Sequence, residues 1–204
     1  MFIYLIRHGE THFNSGGQYK SDLDMELNDR GVRQAKLLGE RLRKYKIDCI
    51  YSSDFERAKQ TSAILKNSLN IEIRIRSELR EIFAGEWEGM SIEDIKIKYV
   101  DFLKEWWKHQ TDMHYPGGEC GEDVKNRVLP VIEEIGNEQY ENIAIVTHAG
   151  VIRTLLSVFL GLSLEKRFNI DVDNCGISII NYNPSKRKSK IKCINDASHL
   201  EGNE

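Results

Sequence analysis

The sequence predicts an α/β domain around a mostly parallel sheet, and three observations carry that prediction. Short apolar runs such as "FIYLI" (2–6) and "IAIVT" (143–147) are continuous rather than alternating, as strands covered on both faces require. The longer stretches between such runs place their apolar residues on one helical face. Strands and helices therefore alternate along the chain, the pattern of a sheet with crossover helices.

Taken in order, "FIYLI" is the first buried strand. "LNDRGVRQAKLLGERLRKY" (27–45) follows a polar loop and reads as a helix. Val32, Ala35, Leu38, Leu42 and Tyr45 lie on its inner face, and Asn28 or Asp29 caps it. "IDCIYSS" (47–53) is a second strand. The helix behind it is expected to start at Ser53, where Ser53 and Glu56 fit a capping box, and to turn Ala58, Thr61, Leu65 and Leu69 inward. "IEIRIR" (71–76) alternates with period two, so it is a strand with one wet face near an edge.

Residues 91–110 read as an aromatic-rich helix holding Tyr99, Phe102, Trp106 and Trp107, and "YPGGECGE" (115–122) breaks it. A helix over about 122–140 turns Val124, Val128, Val131 or Ile132, and Ile135 inward. "IAIVT" is the next strand, and "GVIRTLLSVFLG" (150–161) is the helix that leaves it. "GISIINYN" (176–183) and "KIKCIN" (190–195) read as a terminal hairpin, with the basic "SKRKSK" as its solvated turn. The piece from Gly85 to Gly118 stands outside the alternation and is expected to be a helical insertion capping one end.

The 204 residues suit one domain, 1–204, with a core able to fold unaided. A net charge of −3 gives no basic field for nucleic acid, and no apolar run is long enough for a membrane span or a secretion signal. The expected setting is the cytoplasm, as a monomer or homodimer. Cys49, Cys120, Cys175 and Cys193 are scattered without a C-x-x-C pair, which reads as reduced, mostly buried thiols.

Two places repeat one design: a short buried strand, then a histidine and a glycine-containing turn. They are "FIYLIRHGET" around His8 and "IAIVTHAGVI" around His148. Ends of parallel strands are where open α/β sheets bind ligands. The neighbouring "HGETH" is not read as a metal site. A strand precedes it and Gly9 follows His8, so His8 and His12 sit on a turn and need not share a face, and the HExxH order is missing. Arg7 precedes His8, and Arg57 falls in the first turn of the helix after residues 47–53. Two arginines, two histidines and helix starts converging on one crevice would bind an anion, and a phosphate fits arginine's two-pronged hydrogen bonding.

"RHGET" with Asn14, then "LNDRG" with "QA", "SSDFERA" (52–58), "LREIFAGEWEG" (79–89), "PGGE" (116–119) and "THAGVIR" (147–153) occur in one order along nearly the whole chain. Together they resemble the histidine phosphatase superfamily, in its branch of phosphoglycerate mutases and related phosphatases. The resemblance implies a three-layer α/β/α sandwich, no metal and no cofactor. It implies His8 as nucleophile, Glu81 as general acid and later base, and Arg7, Arg57 and His148 as catalytic and phosphate-binding groups. Asn14 would join Arg7, Arg57 and His148 on the phosphate. A protonated His148 is expected to add its charge to the arginines, and those charges to keep the His8 ring neutral.

About 26 residues separate Gly89 from Pro116, shorter than in mutases of the branch, which favours hydrolysis of a small phosphorylated metabolite over phosphoryl return. "INDASHL" (194–200) and "FAGEWEGMSIEDI" resemble alpha-ribazole phosphatases. The alternatives are a phosphoglycerate mutase and, from another class, a regulatory module that binds phosphate or phosphoprotein without turnover. Relatives usually carry Gln-Gly and then Asp-x-Pro-Leu after Asn14, whereas Lys20-Ser21 and Asp24-Met25-Glu26-Leu27 stand here, which alters the approach to the phosphate loop. Trp87, Trp106, Trp107, Phe102 and Tyr115 either shape a substrate pocket or pack the insertion onto the sheet.

Overall fold

Alternate residues of the first strand, β1 (Phe2–Arg7), enter two different cores. Ile3 and Leu5 pack on one side of the sheet, and Tyr4 and Ile6 on the other. β4 (Asn142–Thr147) repeats the split with Ile143 and Ile145 against Ala144 and Val146. A strand buried on both faces must be apolar throughout, which is why these two runs lack alternation.

The protein, described over residues 1–12 and 25–202, is a computed structural model. Its sheet has six strands in the order β3-β2-β4-β1-β5-β6, with β2 at Cys49–Ser52, β3 at Ile73–Ile75, β5 at Ile177–Asn183 and β6 at Lys188–Asp196. β3, β2, β4 and β1 run parallel; β5 and β6 form the antiparallel hairpin at the other edge.

Helices α1 (Asp29–Leu42) and α2 (Glu56–Leu69) cover one face, through Ala35, Leu38, Leu42, Ala58 and Leu65. The other face takes α5 (Gly121–Gly136) and α6 (Ala149–Leu160), through Val124, Val128, Val131, Ile132, Ile135, Ile152 and Leu155. This is the three-layer α/β/α sandwich. Among the described residues, no helix is long and apolar enough to cross a membrane.

Three local expectations are corrected. The aromatic stretch is two short helices, α3 (Ile92–Lys98) and α4 (Val100–Trp106), broken at Tyr99 by its non-helical φ −116°, ψ 29°. The helix over 122–140 ends at Gly136. No capping box opens α2: Phe55 holds the cap position, and Ser53 is three residues before the helix, committed elsewhere.

The insertion is packed rather than open. Trp87, Trp106 and Tyr115 are buried and meet one another ring to ring within 5.4 Å. Phe102 closes on Trp87 edge-on, and only Trp107 of these aromatics stands exposed. Packing therefore accounts for most of the set.

Two glycines explain why distant motifs occur together. A Cβ on Gly31 would meet Glu10 O at 2.1 Å, so "LNDRG" can lie against "RHGE" only with glycine there. Gly85 takes φ +57°, and its Cβ would meet Pro116 O at 2.2 Å, which joins "FAGEW" to "PGGE" backbone to backbone.

Candidate active site

Parallel pairing sets Arg7 of β1 beside Thr147 of β4, so the residues that follow, His8 and His148, emerge abreast at one end of the sheet. His8 N–H donates to Thr147 O at 3.0 Å, and the two ring centroids lie 5.1 Å apart. β2 flanks β4 on its other side, and Ser53 beyond it donates its N–H to Val146 O at 3.0 Å. Three strand ends thus deliver Ser53, His148 and His8 in a row.

His8 is only 4 % exposed. Its Nδ1 lies 2.8 Å from Gly9 O. A carbonyl only accepts, so Nδ1 carries the proton and the lone pair of the neutral ring sits on Nε2. That nitrogen receives the Nε–H of Arg57 at 3.2 Å. Arg57 comes from the first turn of α2 and is buried with the histidine. Burial, then Arg57, then Arg7 hold the His8 pKa well below the usual imidazole range. The ring is an uncharged base whose one electron pair, on Nε2, is turned toward Arg57.

His148 is fully buried, with Nε2 2.9 Å from Ser53 Oγ. Its Nδ1 is buried and has no partner among the described residues. Burial, Arg57, His8 and Arg7 push its pKa well down also. The expected charged His148 is thereby corrected: a ring shut away from water beside two guanidiniums does not hold a second proton at neutral pH. The positive charge of the crevice belongs to Arg7 and Arg57. Arg7 donates its Nη1–H to Val172 O at 2.7 Å, and its Nε is buried without a partner among the described residues.

Glu81 reaches the same sheet end from the segment after β3. Its Oε1 accepts from Ile82 N–H at 2.9 Å and from Gly150 N–H at 3.0 Å, the second being a free donor of the first turn of α6. The Glu81 charge also acts on Arg7. Four of the five expected catalytic groups therefore converge with the fifth, His148, on one crevice. A neutral imidazole, two cations at least partly shielded from water, a buried acceptor or donor on His148 and a carboxyl are the parts needed to take a phosphoryl group and protonate what it leaves.

The sequence matches the profile of the histidine phosphatase superfamily (branch 1) over residues 3–196. The chain belongs to that superfamily. "Phosphoserine phosphatase 1" of Hydrogenobacter thermophilus is 31% identical over 97% of this chain and 93% of its own. "Probable phosphoglycerate mutase GpmB" of Salmonella choleraesuis is 30% identical over 98% and 94%. Among solved structures, the alpha-ribazole phosphatase of Shigella flexneri superposes with TM-score 0.84 at 29% identity, covering 97% of each chain. The protein is thus an enzyme of the histidine phosphatase superfamily with a phosphoglycerate mutase-like fold.

Within this histidine phosphatase, the remaining candidates sort by position. His12 is exposed while His8 is buried. Glu86 is exposed and receives the Tyr99 hydroxyl at 2.7 Å, and Glu88 accepts from Ala84 N–H at 3.2 Å. Glu78 contributes its carbonyl to Arg127. Asn14 and the Lys20-Ser21 and Asp24 departures lie outside the described residues.

Four supporting residues have site roles that their sequence context does not mark. Ser53 orients His148. Thr61, one turn below Arg57, donates its hydroxyl to Arg57 O at 2.8 Å and receives Gly9 N–H at 3.0 Å, which ties the His8 turn to α2. Asn174 donates its side-chain amide to His8 O at 2.9 Å. Arg127 of α5 grips the Glu119 carboxylate with Nε and Nη2 at 2.8 and 3.0 Å, and bonds the carbonyls of Glu78 and Glu81. Thr61 and Arg127 look like ordinary helix residues in sequence, and no local pattern marks their tertiary partners.

Proposed function

We propose that this enzyme is a metal-independent phosphatase that hydrolyses a small phosphomonoester through a phosphohistidine at His8. The observation that carries the proposal is the fixed tautomer of His8: its proton is held on Nδ1 by Gly9 O, and its Nε2 lone pair lies in a crevice with the buried Arg57 and the partly buried Arg7. Nε2 attacks phosphorus in line as the bond to the ester oxygen breaks. Glu81 gives its proton to the departing alkoxide. A water then attacks the phosphohistidine, Glu81 takes that water's proton, and His8 leaves as the neutral ring.

Arg57 and Arg7 oppose the charge on the equatorial phosphoryl oxygens, so the chain's own cations supply the compensation. Arg57 shifts its Nε–H from His8 to a phosphoryl oxygen as the substrate seats, and the orphaned Nδ1 of His148 is placed to meet another. Asn14 is proposed as a further phosphate contact. The compact segment between Gly89 and Pro116 supports hydrolysis over a mutase reaction, and four free cysteines suit the cytoplasm.

The test is release of phosphate from p-nitrophenyl phosphate in excess chelator. Wild type turns over, and His8→Ala does not. Full activity in that variant, or loss of wild-type activity in chelator, overturns the proposal. The physiological substrate is sought with a panel containing alpha-ribazole phosphate, phosphoserine, phosphoglycerates and sugar phosphates.

A further inference from the structure

Beside Glu81 lies an open cavity of about 440 Å³ whose walls include Phe55, Arg80 and Phe83. It adjoins the catalytic crevice. Glu81 belongs to both, and the Phe55 ring that lines the cavity stands edge-on to the His148 ring at 5.4 Å. A phosphate held at His8 with its ester oxygen toward Glu81 would send its leaving group here.

We propose that this cavity is the leaving-group subsite and that it selects alcohols carrying a flat apolar ring over those carrying a carboxylate. The inference rests on the phosphatase reading above and adds the substrate class.

Two features argue for the ring. Phe83 is 42 % exposed, an apolar side chain left facing water next to a catalytic carboxyl. Its backbone is fixed from both sides, since Phe83 N–H donates to Glu119 Oε2 and Phe83 O accepts from Glu119 N–H, both at 2.9 Å. The ring is therefore mounted on a rigid support, which makes it a standing surface for a second ring. Across the cavity, the Arg80 guanidinium lies 5.2 Å from the centre of the Phe55 ring, so a flat cation backed by an aromatic offers another planar face.

The charges argue against a carboxylate. Arg80 is held by both oxygens of Asp54, at 2.7 and 2.6 Å. Arg127 is held by both oxygens of Glu119. A carboxylate on the substrate would have to displace a two-pronged partner already in place, and it would enter beside Glu81 and Glu119. A neutral ring meets neither obstacle and removes the exposed Phe83 face from water.

The test compares alkyl phosphates of similar leaving-group basicity: 2-phenylethyl phosphate, ethyl phosphate and O-phosphoserine. Wild type is expected to prefer phenylethyl to either of the others by about 10-fold in kcat/KM, the scale of one aromatic contact with its burial. Phe83→Ala should shrink that ratio several-fold, while Phe83→Trp, which keeps a ring, should preserve it. His8→Ala should bind 2-phenylethyl phosphonate more tightly than ethyl phosphonate by a similar factor, a readout that needs no turnover. Equal rates on the three esters, a preference for phosphoserine, or a ratio unmoved by Phe83→Ala overturns the subsite. Selective phosphonate binding without any hydrolysis in wild type would overturn the phosphatase reading and leave the cavity assignment standing.

Discussion

Arg57 Nε donates to His8 Nε2 at 3.2 Å, on the one ring nitrogen that carries a lone pair rather than a proton. The pair couples two tasks, because the same guanidinium lowers the basicity of His8 and stands ready for a phosphoryl oxygen. Arg57→Ala is expected to reduce kcat/KM by about 10²–10³, the range for removing a preorganised donor. Since Arg57 depresses the His8 pKa, its removal lets that pKa climb, and the acid limb of the pH–rate profile should move to higher pH. Arg57→Lys keeps the charge and should move the limb less. An unshifted limb in Arg57→Ala would show that His8 does not titrate in it.

Both histidines also bear on stability. Each has a folded-state pKa well below the usual value of 6.5, so below that pH the unfolded chain binds protons that the folded chain refuses. Stability from these groups is therefore intact above about pH 7 and is lost as pH falls through 6.5. Each fully titrating histidine contributes a slope of about 1.4 kcal/mol per pH unit. Urea unfolding between pH 7 and pH 5 should show a steep loss in wild type and a flatter one in His8→Gln/His148→Gln. Parallel curves would mean that the two rings protonate without resistance in the folded state.

Glu81→Gln keeps an oxygen for the Ile82 and Gly150 N–H groups and removes the transferable proton. The defect should scale with the leaving group. Alkyl phosphates need a proton on the departing oxygen, and their turnover should fall by about 10²–10⁴. p-Nitrophenyl phosphate leaves without one, so its phosphoenzyme should still form in a rapid burst while hydrolysis of the phosphohistidine slows. Equal losses for both ester types would remove Glu81 from the acid role.

Gly150 tests the same carboxyl from the other side. A Cβ there would lie 2.6 Å from Glu81 Oε1 and 2.7 Å from Ile82 Cγ2. Gly150→Ala must push Glu81 away from the start of α6, and misplacement of about 1 Å is enough to cost about 10²-fold. kcat should fall with alkyl substrates while α6 stays folded by circular dichroism. Unchanged kcat would mean that Glu81 works equally well out of that hydrogen bond.

The layers, and the gathering of the candidate site residues at one sheet end, are legible because each rests on a local signal. Continuous apolar runs mark β1 and β4, and a histidine directly after each strand marks the sheet end. Where the structure departs from the sequence pattern, a tertiary partner is the cause. Ser53 and Glu56 satisfy a capping pattern, yet the Ser53 hydroxyl serves His148, 95 positions away, so a tertiary bond displaced a local one. The charge on His148 is not legible in the sequence, because its nearness to Arg57 and its complete burial are both tertiary facts. The role of Arg127 was invisible for the same reason, since it binds carbonyls 46 and 49 residues before it.

Arg127 offers the last prediction. Its guanidinium bonds the carbonyls of Glu78 and Glu81 and both oxygens of Glu119, which locks α5, the Glu81 segment and "PGGE" into one unit. A lysine has the charge without the planar fork, so Arg127→Lys leaves some of these acceptors unmatched in a half-buried place. We expect a loss of about 1–3 kcal/mol in unfolding free energy, the scale for an orphaned polar group. Because Arg127 bonds the backbone of Glu81 directly and reaches the phosphate crevice only through its weaker, last-ranked charge effect on His148, kcat for alkyl phosphates should drop more than KM rises. The slope of rate against leaving-group basicity should steepen as in Glu81→Gln. A variant that is less stable yet keeps the wild-type slope would confine Arg127 to holding the fold.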